Sequence, residues 1–229
     1  MPFARKPQVF SASINELTLG TGDKAITLGG QNVYNLYTFD GPIANAPKIG
    51  IDVSDEAEQP SPGLTAFYEG CTTMAEKAKK AAALDHVDFV NLHFASADPN
   101  GANKSVEDCV ADAKAVAEAI DKPIVISGCK NPEKDAELFS KIAEALQGKN
   151  ILVLSAREEN YKGIAAGVGL AYGQKVGAES AVDINLAKQL NVLITQMGLD
   201  GKNIAMNVGS AAAGYGFEYV VSTLERVKA

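Results

Sequence analysis

The chain has 229 residues, 46% of them apolar and 21% charged, which is enough to bury a sizeable core and excludes a disordered polyelectrolyte. Acids outnumber bases 28 to 21, a formal charge of −7 that argues against a nucleic-acid surface, though not against a small anion on backbone amides. No apolar run reaches the ~18 residues of a membrane span, Met1–Phe10 lacks the apolar segment of a secretory signal, and the dispersed Cys71, Cys109 and Cys129 show no Cys-x-x-Cys, so neither a disulfide framework nor an iron–sulfur cluster is expected and a reducing cytoplasm is.

In chain order, Leu17-Thr18-Leu19 and Ile26-Thr27-Leu28 flank a five-residue turn, Gly20 to Lys24, and predict a β-hairpin. The turn-rich stretch from Gly29-Gly30 to Asn45 connects the hairpin to the first strand of a larger unit. Residues 1–46 therefore read as hairpin plus lead-in, packed on one larger domain over residues 47–229. From Pro47 onward, short β-rich runs alternate with helical patterns. The runs are Lys48–Val53, Phe89–Phe94, Pro123–Cys129, Ile151–Ala156, Lys175–Glu179 and Ile204–Val208. Ile124-Val125-Ile126 and Ile151-Leu152-Val153-Leu154 are apolar at consecutive positions, as in strands covered on both faces of a parallel sheet.

Residues 54–66 read as a long polar loop after the first run. Helical spacing then links Phe67, Cys71, Met74, Ala78 and Ala81. It recurs in Val106, Val110, Ala113, Ala117 and Ile120, in Leu138, Ile142 and Ala145, in Leu186, Leu190, Leu193 and Met197, and in Phe217, Val220, Leu224 and Val227. Ser105 with Asp108, Asn131-Pro132 and Asp183 mark helix starts, and Gly148 and Gly198 mark stops. This makes six βα units of about 30 residues, where a complete (β/α)8 barrel of such units needs about 240. Connections are uniform and no Gly-x-Gly-x-x-Gly follows the first run. The expected fold is an α/β TIM-type barrel that stops after six units, with two bare parallel edges.

In parallel barrels, ligands meet the loops that follow strand C-termini. The second such loop, Ala97 to Ser105, offers Asn100 and Asn103 beside a helix start, where turn chemistry and capping are the plainer reading. Cys129-Lys130-Asn131 follows the third run. A low-pKa thiol or Schiff-base lysine is conceivable there, but no histidine stands near, and a small buried cysteine fits better. Asn160-Tyr161-Lys162 follows the fourth run, and Asp183-Ile184-Asn185 the fifth; capping explains Asp183 and leaves Asn185 over. Asn207-Val208-Gly209-Ser210 to Gly214-Tyr215-Gly216 follows the sixth, with small residues that let a large flat group approach the backbone. His86 reads as solvated and His93 as a satisfied strand residue; they make no metal pair. No carboxylate pair stands out as acid and base, so no catalytic residue and no metal ligand is assigned.

The ordered set Gly29-Gly30-Gln31-Asn32, Tyr37-Thr38-Phe39-Asp40-Gly41, Ala97-Asp98-Pro99-Asn100-Gly101-Ala102-Asn103, Glu159-Asn160-Tyr161-Lys162 and Asp183 to Asn191 resembles the small (delta) subunit of the corrinoid iron–sulfur protein of the acetyl-CoA synthase/decarbonylase system, over nearly the whole chain. The resemblance implies a TIM barrel that continues past Ala229 and forms a heterodimer with a large (gamma) subunit. That subunit carries the iron–sulfur cluster and most of the corrinoid site. The small subunit caps the cobalt corrinoid while methyl groups pass from methyltetrahydrofolate, through a methyltransferase, to acetyl-CoA synthase in the Wood–Ljungdahl pathway. The resemblance also implies that a mouth of Asn, Ser, Gly and Ala hydrogen-bonds corrin amides without offering cobalt a strong ligand. Asn100, Asn103, Asn160, Asn185, Asn207, Gly209, Ser210 and Gly214 are the expected cofactor contacts. The alternatives are a pterin- or folate-binding methyltransferase on the same barrel and, more remotely, an aldolase using Lys130 or Lys162.

Overall fold

A computed structural model describes residues 11–32, 43–56 and 61–228. The motif Tyr37 to Gly41 and part of the 54–66 loop lie outside the described residues. The hairpin forms as expected, with β1 (Glu16–Leu19) antiparallel to β2 (Ile26–Gly29). Six further strands follow: β3 (Gly50–Ser54), β4 (Phe89–His93), β5 (Ile124–Ser127), β6 (Leu152–Ala156), β7 (Lys175–Glu179) and β8 (Ile204–Asn207). Their order in the sheet is their order in the chain, and every neighbouring pair is parallel.

That order fixes the layers. A parallel strand is reached by a crossover, crossovers are right-handed, and an unbroken progression places every crossover helix on one face. The helices are α1 (Pro62–Phe67), α2 (Met74–Ala82), α3 (Val106–Ala119), α4 (Pro132–Ala145), α5 (Tyr161–Ile164), α6 (Ile184–Gln196) and α7 (Phe217–Lys228). Alternate strand residues turn to opposite faces. Val90, Leu92, Ile124, Ile126, Val153 and Val176 enter the large core with Ala78, Val116, Phe139, Ile142 and Leu190 of the helices. Val125 and Leu152 point the other way and meet Leu17 and Leu19 of the hairpin, joined by Phe89, Leu154 and Ala205. This second cover explains why the central strands are apolar at consecutive positions. The hairpin is pinned at the strand N-termini, where the Asn150 side chain donates to Thr18 O at 2.8 Å and Gly20 O at 3.1 Å and the Gly20 amide donates to Asn150 O.

The helix starts agree with the sequence. Ser105 Oγ accepts from the Asp108 amide, Asn131 Oδ1 from Lys134, and Asp183 Oδ1 from Asn185 and Leu186. Two readings need correction. The loop predicted over 54–66 contains α1 from Pro62, because Ser61 caps it and Pro62 suits the first turn. The apolar series from Phe67 to Ala81 is not one helix: Thr73 and Glu76 form a capping box that starts α2 at Met74. The sequence reading passed over α5, which runs into a π-helical stretch, Ala165–Leu170, and packs through Tyr161, Ile164, Ala165 and Val168 at helical spacing. Glycines beside them allow close approach: a Cβ on Gly169 would meet Leu199, and one on Gly167 would meet Ser140.

Leu19 is fully buried between hairpin and sheet. Leu19→Ala is expected to lower unfolding free energy by about 3 kcal/mol in a denaturant titration, the usual cost of emptying a leucine site that cannot collapse.

Candidate functional site

On the hairpin side, the sheet changes character along its length. Near the N-terminal ends, Phe89, Val125, Leu152 and Ala205 are apolar; near the C-terminal ends stand Asp52, Asn91, His93, Ser127, Glu179 and Asn207. Register brings them together. Asp52 pairs with Asn91, His93 with Ser127, and Glu179 with Asn207. They line a recess of about 210 Å³ with Leu154 at its wall.

The recess is hydrogen-bonded throughout. Ser127 Oγ donates to Asn91 Oδ1 at 3.0 Å, and Asn91 Nδ2 donates to Asp52 Oδ1. His93 Nδ1 lies 3.6 Å from the other Asp52 oxygen. The Asp52 bond raises the His93 pKa above its ordinary value, and burial opposes it only in part. For Asp52, burial pushes the carboxyl up, but the His93 and Asn91 bonds outweigh it and the pKa falls. Arg157 Nη2 reaches both Glu179 oxygens at 3.1 Å. Asn207 Nδ2 donates to Ser155 Oγ at 3.1 Å, and its Oδ1 accepts from the Gly209 amide.

Gly128 makes room for Asp135, whose carboxylate occupies the space a Cβ would need. Asp135 Oδ1 accepts from the Cys129 amide at 2.8 Å and from its thiol at 3.3 Å. Burial pushes the Cys129 pKa up to about 11, with the Asp135 charge adding to it. Burial also raises the Asp135 carboxyl. The cysteine is therefore a thiol at neutral pH, in line with the expectation from sequence, and not a nucleophile. A second lock joins the first two loops. The Asp55 side chain, 1% exposed, accepts from the Ser96 amide at 3.0 Å, from Ser96 Oγ and from Lys104 Nζ at 3.4 Å. Lys104 also pairs with Asp112. Lys77 Nζ donates to Ser54 O and Glu56 O.

All the loop residues chosen from sequence follow strand C-termini, so the parallel sheet gathers them at one end. Only Asn207 lines the recess. Asn100 and Asn103 are exposed on the loop after β4; the Asn100 side chain and amide both bond Asp98. Asn185 is exposed at the start of α6, and Ser210 and Gly214 are exposed after β8. Gly209 adopts φ +84°, a conformation suited to glycine. Asn160 is buried: its Oδ1 accepts from the Arg157 amide and its Nδ2 donates to Pro132 O, so it shapes its own loop. His86 is exposed after α2 and His93 is satisfied by Asp52, both as expected. The sequence reading missed the recess side chains Asp52, Asn91, Ser127, Arg157 and Glu179. For Asp52, Asn91 and Ser127 the signal was a polar residue inside an otherwise apolar run. Among the described residues, no group of three His, Cys, Asp or Glu could hold a metal ion, and no helix is long and apolar enough to cross a membrane.

Residues 16–229 match the family model described as CO dehydrogenase/acetyl-CoA synthase delta subunit. The chain is 33% identical over 211 residues to the acetyl-CoA decarbonylase/synthase complex subunit delta of Archaeoglobus fulgidus, covering 91% of this chain and 47% of that one. It is 32% identical to the corresponding subunit of Methanocaldococcus jannaschii, covering 91% and 52%, and 30% identical to that of Methanothermobacter thermautotrophicus, covering 96% and 57%. The chain thus spans about half the length of the curated relatives it matches.

An NMR titration is expected to place the His93 midpoint above 6.5, and Asp52→Asn to lower it. A raised imidazole pKa stabilises the fold fully below the unfolded value of about 6.5, while Asp52 stays ionised, and the gain is lost as pH rises through the folded value. With the Asp52 side chain 62% exposed, screening keeps that gain under about 1 kcal/mol. Alkylation of Cys129 is expected to follow thiolate formation with a midpoint of about 11.

Proposed function

The chain belongs to the CO dehydrogenase/acetyl-CoA synthase delta subunit family, and we propose that it is the non-catalytic cap of a cobalt corrinoid held mainly by a larger subunit. In this reading the six-stranded sheet is an arc of a (β/α)8-type barrel. Three features support the arc: the sequential parallel order, helices on one face, and a hairpin closing the strand N-terminal end. The mouth at the strand C-termini is then the capping surface.

The residues at that mouth fit such a group. A corrinoid is a broad macrocycle with neutral amide arms around a cobalt that thiolates and neutral imidazoles ligate. The Cys129 thiol beside the recess is held protonated by burial and Asp135. The His93 imidazole within it has Nδ1 3.6 Å from Asp52, a contact that favours the protonated form, and an imidazolium offers no lone pair to a metal. Asn100, Asn103, Asn185, Asn207 and Ser210 are the side chains offered to the amide arms, Gly209 and Gly214 allow close approach, and Asn160 holds its loop in shape. When bound, the cobalt supplies the centre that takes a methyl group derived from methyltetrahydrofolate and passes it on to acetyl-CoA synthase. This chain orients the macrocycle and excludes water; the iron–sulfur cluster and the catalytic groups belong to its partners. The observation that carries the reading is family membership combined with a mouth of exposed amide, hydroxyl and glycine residues beside which the Cys129 thiol is held protonated.

A second reading, a pterin- or folate-binding methyltransferase on the same fold, draws on the acids at the recess, Asp52 and the buried Asp135. Calorimetry separates the two. The capping reading expects the chain to co-elute with the cobalt-carrying large subunit and to bind methyltetrahydrofolate no more tightly than millimolar. Micromolar folate binding by the chain alone, or a chain that neither pairs nor touches corrinoid, overturns it. Ser210→Trp, which places bulk on an exposed mouth loop, is expected to weaken corrinoid capping at least tenfold without moving the melting temperature.

A further inference from the structure

The recess between β3 and β8 has a composition that selects its guest. Three acids, Asp52, Asp135 and Glu179, face three bases, His93, Lys130 and Arg157. Two of these pairs are closed: His93 with Asp52, and Arg157 with both oxygens of Glu179. An anion entering here meets as many carboxylates as cations, and a cation meets the reverse, so neither gains a net field. Beside Lys130 and Asp135, which balance in charge, the directional groups that remain are neutral. Asn91, Ser127, Ser155 and Asn207 carry both donors and acceptors, and a carboxamide or hydroxyl oxygen keeps a spare lone pair after one bond. The volume, about 210 Å³, lies below that of a drug-sized pocket and admits a side arm or one small ring. Leu154 gives it an apolar wall.

We propose that this recess is an amide-recognition site, taking one neutral group that presents an N–H donor and a C=O acceptor side by side, bonded by the Asn91–Ser127 and Asn207–Ser155 pairs. The proposal rests on the capping reading for its favoured guest, a carboxamide arm of the corrinoid. A free lactam ring of pterin type has the same chemistry. Binding leaves the ion pairs in place and exchanges water for matched bonds. A guest with only acceptors brings no donor to the spare lone pairs of the Asn91 and Asn207 side-chain oxygens, and that loss sets the selectivity.

The test compares dicyanocobinamide, whose arms are amides, with heptamethyl dicyanocobyrinate, whose arms are esters, by calorimetry with the full chain. The side-chain amide signals of Asn91 and Asn207 are followed by 1H–15N NMR. The amide form is expected to bind at least tenfold more tightly and to shift both signals. Asn91→Leu should erase the preference; Ser127→Ala, which removes one oxygen and little volume, should reduce it several-fold if the leucine variant fails to fold. Equal binding of amide and ester, or a preference that survives both variants, overturns the proposal. A third arm uses 6-methylpterin. If neither corrinoid binds but 6-methylpterin shifts the Asn91 signal and Ser127→Ala weakens it, the amide site stands and the corrinoid cap falls. If no probe shifts either signal, the amide site is overturned.

Discussion

The structure depends on the way a parallel strand is reached. The chain must travel back before the next strand can begin, and right-handed crossovers send each return path over the same face when strands are laid down in sequence order. The helices are thereby committed to one side. The other side of the sheet must be covered at one end and can be left open at the other. The hairpin covers the strand N-termini through Leu17 and Leu19 against Val125 and Leu152. The polar ends of the strands, from Asp52 to Asn207, are what remains.

Much of this was legible in the sequence. The six strands and the hairpin were marked by β-rich runs and turns, and the principal helix starts by Ser105, Asn131 and Asp183. What escaped had physical causes. The α5 segment and its continuation carry a helical period in Tyr161, Ile164, Ala165 and Val168, but Gly163, Gly167 and Gly169 interleave with it and blur the signal. The split between α1 and α2 is made by capping at Thr73, a local hydrogen-bond decision inside a continuous helical spacing. At the site, attention to loops found Asn207 but not Asp52 or Asn91, because these sit within strands and their meaning depends on register. Asp52 faces Asn91 only once β3 and β4 pair. Asn160 illustrates the converse: a polar loop residue attractive for a ligand is used up by Arg157 and Pro132.

Rigidity of the mouth follows from buried charge. Asp55 is almost fully enclosed, a placement tolerable only with close partners. Ser96 and Lys104 supply them, and both belong to the next loop. Lys77, reaching up from α2, adds bonds to the carbonyls of Ser54 and Glu56. The start of the loop after β3, Asp55 and Glu56, is therefore tied to the loop after β4 and to α2. A surface meant to cover a flat group benefits from such a lock, because little conformational freedom is lost on contact.

Charge at the recess is held in close pairs. The Cys129 thiol is bonded to Asp135, His93 Nδ1 lies beside Asp52, and the Arg157 guanidinium is bonded to Glu179. That pairing leaves the neutral amides and hydroxyls with bonds still to offer. A surface of that kind discriminates by shape and by matched donors and acceptors.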